Sequence, residues 1–257
     1  MPSHPRGFRL FRLANLLVVT GALIFPGTSA RVAASPPSSG QESVILLHGL
    51  ARTRRSMAAL AEALTAAGYH TVNLGYPSRT ATVEALAMQT IPAALDLCSA
   101  AEATRIHFVT HSMGGLLVRY YLTRRAIENL GRVVMLAPPN QGSELCDALR
   151  ENFFYRWYNG PAALQLGTGP NDLPARLGPV DYPVGVIAGN VHSFFDAWLS
   201  KRIPGEDDGK VSVERTKVAG MADFVVLPYT HPFIMGEDKT IGQTIHFLRH
   251  GVFRRLP

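Results

Sequence analysis

A serine set between two small-residue steps stands out in the run Ile106 to Gly115, IHFVTHSMGG. Ile106, Phe108 and Val109 make an apolar strand pattern, and Leu116, Leu117, Tyr120 and Tyr121 recur at helical spacing. Ser112 therefore falls at a sharp strand-to-helix junction. At such a junction the hydroxyl stands clear of the sheet. The backbone N–H of the next residue, Met113, points the same way, toward an oxyanion forming on a carbonyl under attack. The chemistry served is acyl transfer through a serine. The general pattern is G-x-S-x-G, and Thr110 takes the first glycine position; a β-branched residue there needs a slightly wider approach of strand and helix, while Gly114 keeps the tighter side. The competing reading is a plain strand, turn and helix in which Ser112 only caps the helix, so the neighbouring motifs must decide.

Upstream, the apolar run Ser43 to Leu47 ends in His48-Gly49-Leu50, ahead of a helical stretch from Met57 to Ala67. This has the form of an oxyanion loop, in which the N–H groups of Leu50 and Met113 would together hold the oxyanion; His48 is expected to orient the loop through hydrogen bonds. Downstream, an acid and then a histidine must follow the serine in chain order, and both are present. Glu206-Asp207-Asp208-Gly209 is an acidic turn, and Thr230-His231-Pro232 follows the apolar stretch Phe224 to Leu227. His231, in a loop just beyond the last strand, is the candidate base. Asp208 is preferred over Asp207 and Glu206 as its partner because an Asp-Gly step lets the carboxylate project from a tight turn. Glu214 and His111 read as structural.

Taken together, LLHGL, THSMGG, LAPPNQGSEL (Leu136 to Leu145), DDGKVSVERT (Asp207 to Thr216) and the histidine of LPYTHPFIM resemble the α/β-hydrolase superfamily. Within it the chain is similar to the bacterial lipase and esterase-like branch, which also resembles deacylases acting on glycosylphosphatidylinositol anchors. The resemblance spans Ser43 to Gly251. It implies a Ser112-Asp208-His231 acyl hydrolase that needs no cofactor and no metal, acting on a small-molecule or lipid ester. The same scaffold also hosts thioesterases and acyltransferases, and inert relatives. A membrane-tethered, non-catalytic binding protein is therefore the reading from a different class.

The elements that must position these residues alternate in the βαβ manner, so the expected fold is α/β: a mostly parallel central sheet flanked by helices. Strands are expected near Val44, Thr71, His107, Val133, Val184 and Val225, and helices near Ala61, Leu95, Leu117 and His246. Parallel order puts ligands outside the carboxyl ends of the strands, where Leu50, Ser112 and His231 all fall. Residues 143 to 183 interrupt the alternation after the strand that follows the serine, and are expected to form a cap. Leu145, Leu149, Phe153 and Trp157 recur every four residues there, with Phe154, Tyr155 and Tyr158 adding aromatic bulk before Gly160-Pro161. Phe153, Phe154 and Trp157 are the candidate substrate-binding residues.

Residues 1 to 30 read as targeting. Arg6, Arg9 and Arg12 precede an apolar run from Leu13 to Phe25, and Thr28-Ser29-Ala30 offers a small-residue cleavage site. The pattern predicts a cleaved signal peptide and a secreted or periplasmic protein; an uncleaved leader anchored in the inner membrane is the alternative. Residues 31 to 41, rich in Pro and Ser, are a linker to the domain at 42 to 257. Half of the net charge of +6 comes from the leader's arginines, which leaves no support for nucleic-acid binding. Arg52, Arg54 and Arg55 cluster after the oxyanion loop, either as a solvated face or to steer anionic head groups, and transient contact with a membrane surface fits the latter. Cys98 and Cys146 are expected at opposite edges of the sheet, too far apart to bridge. The sequence leaves the oligomeric state open.

Overall fold

A computed structural model describes residues 40–192 and 201–255. The strands are β1 (Glu42–Leu47), β2 (His70–Leu74), β3 (Arg105–His111), β4 (Leu130–Leu136), β5 (Val184–Gly189) and β6 (Asp223–Leu227). They form one sheet in the order β2-β1-β3-β4-β5-β6, with every neighbouring pair parallel. All six expected strands are present, and so are the four expected helices: α1 (Ala58–Ala66), α2 (Val83–Ala100), α3 (Met113–Leu122) and the last helix, α8 (Asp238–His250).

Side chains alternate across a strand, so each inner strand feeds two cores. Ile45, Leu47 and Phe108 pack with α2 and α3 on one face, where Leu86, Ile91, Leu116 and Leu117 are buried. Val44, Leu46, Val109 and Val134 pack on the other face with Leu60 and Leu64 of α1 and Phe247 of α8. Burying each of these large side chains contributes about 1.5–3 kcal/mol, which makes the centre of the sheet the stiffest part of the fold. Its register carries that stiffness to the site. Leu47 pairs with Thr110, His111 with Leu136, Leu136 with Ile187, and Gly189 with Leu227, so these strands present their carboxyl ends at one rim.

The insertion between β4 and β5 contains α4 (Glu144–Leu149), α5 (Phe153–Ala163) and α6 (Leu173–Arg176), and the short α7 (Val213–Thr216) precedes β6. The expectation of one apolar stripe through Leu145, Leu149, Phe153 and Trp157 needs correcting. The Asn152 side chain accepts a hydrogen bond from the Tyr155 N–H (3.0 Å), capping a new helix and breaking the four-residue repeat between Leu149 and Phe153. Gly160, at φ 71°, then kinks α5, which resumes to Ala163 where the Gly160-Pro161 step is expected to end the helix.

Folded structure begins slightly before the expected linker boundary, since the Gln41 carbonyl already accepts the Thr104 N–H at 3.0 Å. Cys98 and Cys146 are both free and buried. The proposed leader lies outside the described residues, among which no helix is long and apolar enough to cross a membrane.

Candidate active site

Ser112 sits at the junction of β3 and α3 with φ 52° and ψ −125°, a left-handed conformation in which an L-residue is strained. Its N–H is anchored to the Leu136 carbonyl on β4 (2.8 Å), so the strain is held by the sheet. Gly114 explains how the helix comes so close: a Cβ there would lie 2.6 Å from the Leu47 carbonyl oxygen. Thr110, the departure from the general pattern, is accommodated by the second glycine. A Cβ on Gly115 would stand 3.3 Å from Thr110 Oγ1, so the space that glycine would have left at position 110 is supplied from position 115 instead.

His231, in the loop after β6, reaches back over the sheet rim. Its Nε2 lies 3.0 Å from Ser112 Oγ, and its Nδ1 lies 2.7 Å from Asp208 Oδ2. Asp208 is fully buried, and its other oxygen accepts the N–H groups of Lys210 (3.0 Å) and Val211 (2.9 Å). With the acid fixed as an acceptor, Nδ1 carries the imidazole proton and Nε2 is left to receive one from the serine. The neighbouring acids point elsewhere: Asp207 Oδ1 accepts the Gly209 N–H (2.7 Å), and Glu206 accepts from Asn190 (3.2 Å). Glu214 is exposed and paired with Lys217 at 2.7 Å, clear of the site.

Two more histidines hold the frame. His111 is buried and donates from Nε2 to the His231 carbonyl (3.0 Å), with the two rings 4.8 Å apart. Burial, reinforced by the nearby His231, pushes the pKa of His111 well below the ordinary histidine value, so it acts as a neutral donor. His48 donates from Nδ1 to the Gly49 carbonyl (2.9 Å), accepts the Tyr76 N–H at Nε2 (3.3 Å) and stacks on the Tyr76 ring at 4.1 Å. It orients the loop, as the sequence suggests. Tyr76 and Ser78 are positioning residues that sequence reasoning missed. The Tyr76 hydroxyl donates to the His48 carbonyl, and Ser78 Oγ accepts the Ala51 N–H (3.1 Å), where Ala51 has φ 53°. These contacts fix the turn that carries Leu50. Met113 is the first residue of α3, so its N–H has no carbonyl within the helix to bind.

A cleft of about 330 Å³ opens over Ser112 and is lined by Leu50, Leu145, Cys146, Leu149, Tyr155 and Leu166 among others. The predicted substrate contacts are not in it. Phe153, Phe154 and Trp157 are 71%, 73% and 75% exposed, and the helical turn of α5 instead directs Tyr155, Tyr158 and Asn159 to the cleft. Once Asn152 restarts the helix, Phe153 and Trp157 lie opposite Tyr155. The Tyr155 hydroxyl donates to Cys146 Sγ (3.2 Å), and burial pushes both the phenol and the thiol toward higher pKa. Cys146 is therefore a neutral wall residue and no rival nucleophile. Among the described residues, no group of three or more His, Cys, Asp or Glu side chains is arranged to hold a metal ion.

The sequence profile of the alpha/beta hydrolase family matches residues 44–250, which takes in the elbow, the acid and the histidine. The chain belongs to the α/β hydrolase family. Solved structures similar to this hydrolase include the mature Bacillus licheniformis lipase BlEst2, at TM-score 0.64 and 20% identity over 83% of this chain and 94% of that one. Phospholipase PlaB from Legionella pneumophila aligns at TM-score 0.63 and 20% identity over 83% of this chain, which spans 60% of that protein. Pyrococcus furiosus esterase PF2001 aligns at TM-score 0.56 and 17% identity over 82% of each chain. At these identities the likeness is one of fold. No curated protein matches the hydrolase by sequence.

Proposed function

We propose that this hydrolase is a serine carboxylic-ester hydrolase, an esterase or lipase, with Ser112 as nucleophile, His231 as general base and Asp208 as the carboxylate that orients it. The observation that carries the reading is the unbroken relay from Ser112 Oγ to His231 Nε2 (3.0 Å) and from His231 Nδ1 to Asp208 Oδ2 (2.7 Å). As Oγ attacks an ester carbonyl, its proton passes to Nε2 and the new imidazolium is stabilised by the buried carboxylate. The oxyanion is held by the N–H groups of Leu50 and Met113, preset by the Ser78 and Tyr76 contacts and by the start of α3. Nε2 then returns the proton to the leaving alkoxide, and water repeats the cycle on the acyl-serine.

Lipase, esterase and phospholipase neighbours support ester substrates. The cleft lies near the small end of ligand pockets, which favours short and medium acyl groups. The basic and apolar leader supports export to the periplasm or beyond, with the leader removed.

A fluorophosphonate probe tests the reading. It should label the wild-type chain at Ser112, and labelling should vanish in Ser112→Ala and fall steeply in His231→Ala. A folded wild type that stays unlabelled and fails to hydrolyse p-nitrophenyl esters across a range of chain lengths would favour the binding-protein reading.

A further inference from the structure

The cap carries a feature that the proposed chemistry does not use. Phe153, Phe154 and Trp157 project from α5 into solvent, with Phe153 and Phe154 in edge contact at 5.6 Å. Three aromatic rings this exposed on one short helix are costly unless something covers them. Tyr158, on the border of this ridge, also lines the cleft, so ridge and cleft mouth share a helix.

The charges around the mouth identify the cover. Arg52 and Lys210 line the cleft, and among the described residues no aspartate or glutamate does. Arg79 lies over the Tyr158 ring at 4.8 Å and donates to the Tyr158 carbonyl (3.2 Å), which places a second guanidinium beside the aromatic ridge. Arg54 and Arg55 are exposed on the turn that follows Arg52. Glu151, an exposed acid next to the ridge in sequence, has Arg156 at 3.7 Å. Aromatic rings beside arginines suit the boundary between acyl chains and anionic head groups, where Trp and Tyr settle and each cation adds attraction.

We propose that the ridge of Phe153, Phe154 and Trp157, with Arg79 beside it and Arg52 in the cleft that the same helix borders, docks the enzyme on an anionic lipid surface so that esters in that surface face the cleft. A lipid surface satisfies both halves of the geometry at once. Seating the ridge among acyl chains brings the mouth, one helix face away, to the depth of the ester carbonyls. The substrate class, esters presented by an anionic lipid interface, rests on the ester-hydrolase reading; the docking itself does not.

The test uses the full chain as Ser112→Ala, so that binding is read without turnover, and with Trp198→Phe, so that Trp157 is the sole tryptophan. Circular dichroism checks that the fold is kept. Vesicles containing brominated phosphatidylglycerol should quench Trp157. Brominated phosphatidylcholine vesicles should quench it at least about 5-fold less at equal lipid, and Arg52→Gln with Arg79→Gln should weaken the anionic response by a similar factor. Because the readout is Trp157 itself, adhesion through the leader alone leaves it unquenched and overturns the proposal. Equal quenching by both lipids overturns the anionic surface, and a concentration-dependent blue shift without vesicles assigns the ridge to a second copy of the chain. In the catalytic form, Phe153→Ser with Trp157→Ser should keep hydrolysis of soluble p-nitrophenyl butyrate while losing about 10-fold or more on the same ester class in anionic vesicles. Failure of the wild type on both substrates would count against the ester-hydrolase reading and leave the quenching result standing.

Discussion

Around Ser112 the polar groups are tied to backbone atoms of the sheet and of the loops at its rim: Ser112 N–H to β4, His111 to the backbone of His231, His231 N–H to the Asp208 carbonyl at 2.9 Å. Across the cleft, α4 to α6 are short helices held to each other largely by side chains. Arg150 bridges to Asp172 at 2.9 Å, Asp147 accepts Thr168 Oγ1 at 2.7 Å, and Gln165 reaches α2 through Glu84 at 2.6 Å. The two walls of one cleft are thus built to different tolerances. Strain at the serine can persist only where the sheet over-determines it, whereas the cap can be reshaped without disturbing the reacting atoms.

The sharpest way to break this comparison is at the acid. Asp208→Asn removes the acceptor that keeps the His231 proton on Nδ1, and kcat should fall by about 10⁴-fold with the fold intact. Asp207→Asn, one residue away, loosens the turn at Gly209 and the contact with His192 at 3.7 Å, and should stay within about 10-fold. Steady-state rates on a soluble ester check both, and equal losses would mean that the acidic turn acts as a whole.

Two glycine substitutions probe the walls separately. In Gly114→Ala the new methyl meets the Leu47 and His48 carbonyl oxygens at 2.6 and 3.0 Å, inside the stiffest packing of the molecule. Overpacking of that kind costs about 1–3 kcal/mol, and thermal unfolding should show it as a drop of several degrees. In Gly160→Ala the methyl would meet the Arg79 carbonyl oxygen at 1.8 Å, an impossible contact that α5 must relieve by moving. The expected signature is a raised KM with a smaller loss of melting temperature than Gly114→Ala. The reverse order would show that the cap, and not the elbow, is the rigid wall.

A pH experiment sharpens the same contrast. Burial lowers the pKa of His48, His107 and His111, all on or beside the central strands; Glu42 opposes the shift at His107. Each stays neutral in the fold below the ordinary value of 6.5, whereas the unfolded chain takes up the proton. Their contribution to stability is therefore complete above about pH 6.5 and is lost as the pH falls below it. The slope approaches about 1.4 kcal/mol per pH unit for each histidine that remains neutral. Urea unfolding between pH 7.5 and 5 checks this, and His107→Gln should flatten the slope.

The same division governs how much could be read from the sequence. Ser112, Asp208 and His231 were legible because local backbone chemistry marks them: a strand running into a helix at a glycine pair, an Asp-Gly turn, a histidine just past an apolar strand. All six strands were legible because each is a short stretch carrying apolar or β-branched residues, set between longer connecting stretches. The braces were not. Ser78 and Tyr76 act on Ala51 and His48 across 27 and 28 residues, and nothing in their own neighbourhood distinguishes them from ordinary loop residues. In the cap, the four-residue repeat masks the break made by a single asparagine: Asn152 as N-cap resets the helical phase and turns Phe153 and Trp157 away from the cleft.

That reset makes the wall opposite the serine a matter of Leu145, Leu149 and Tyr155, and the smallest expected effect lies there. Leu149 lines the cleft from the C-terminal end of α4, next to the break before α5. Leu149→Ala opens space on the cap side without touching the relay. It should move the preferred p-nitrophenyl ester toward longer acyl chains, with the selectivity between butyrate and octanoate changing about 3- to 10-fold in kcat/KM. Because the cap carries shape and the sheet carries chemistry, reactivity toward the fluorophosphonate should stay near wild type. A matching loss of labelling would show that the two walls are coupled.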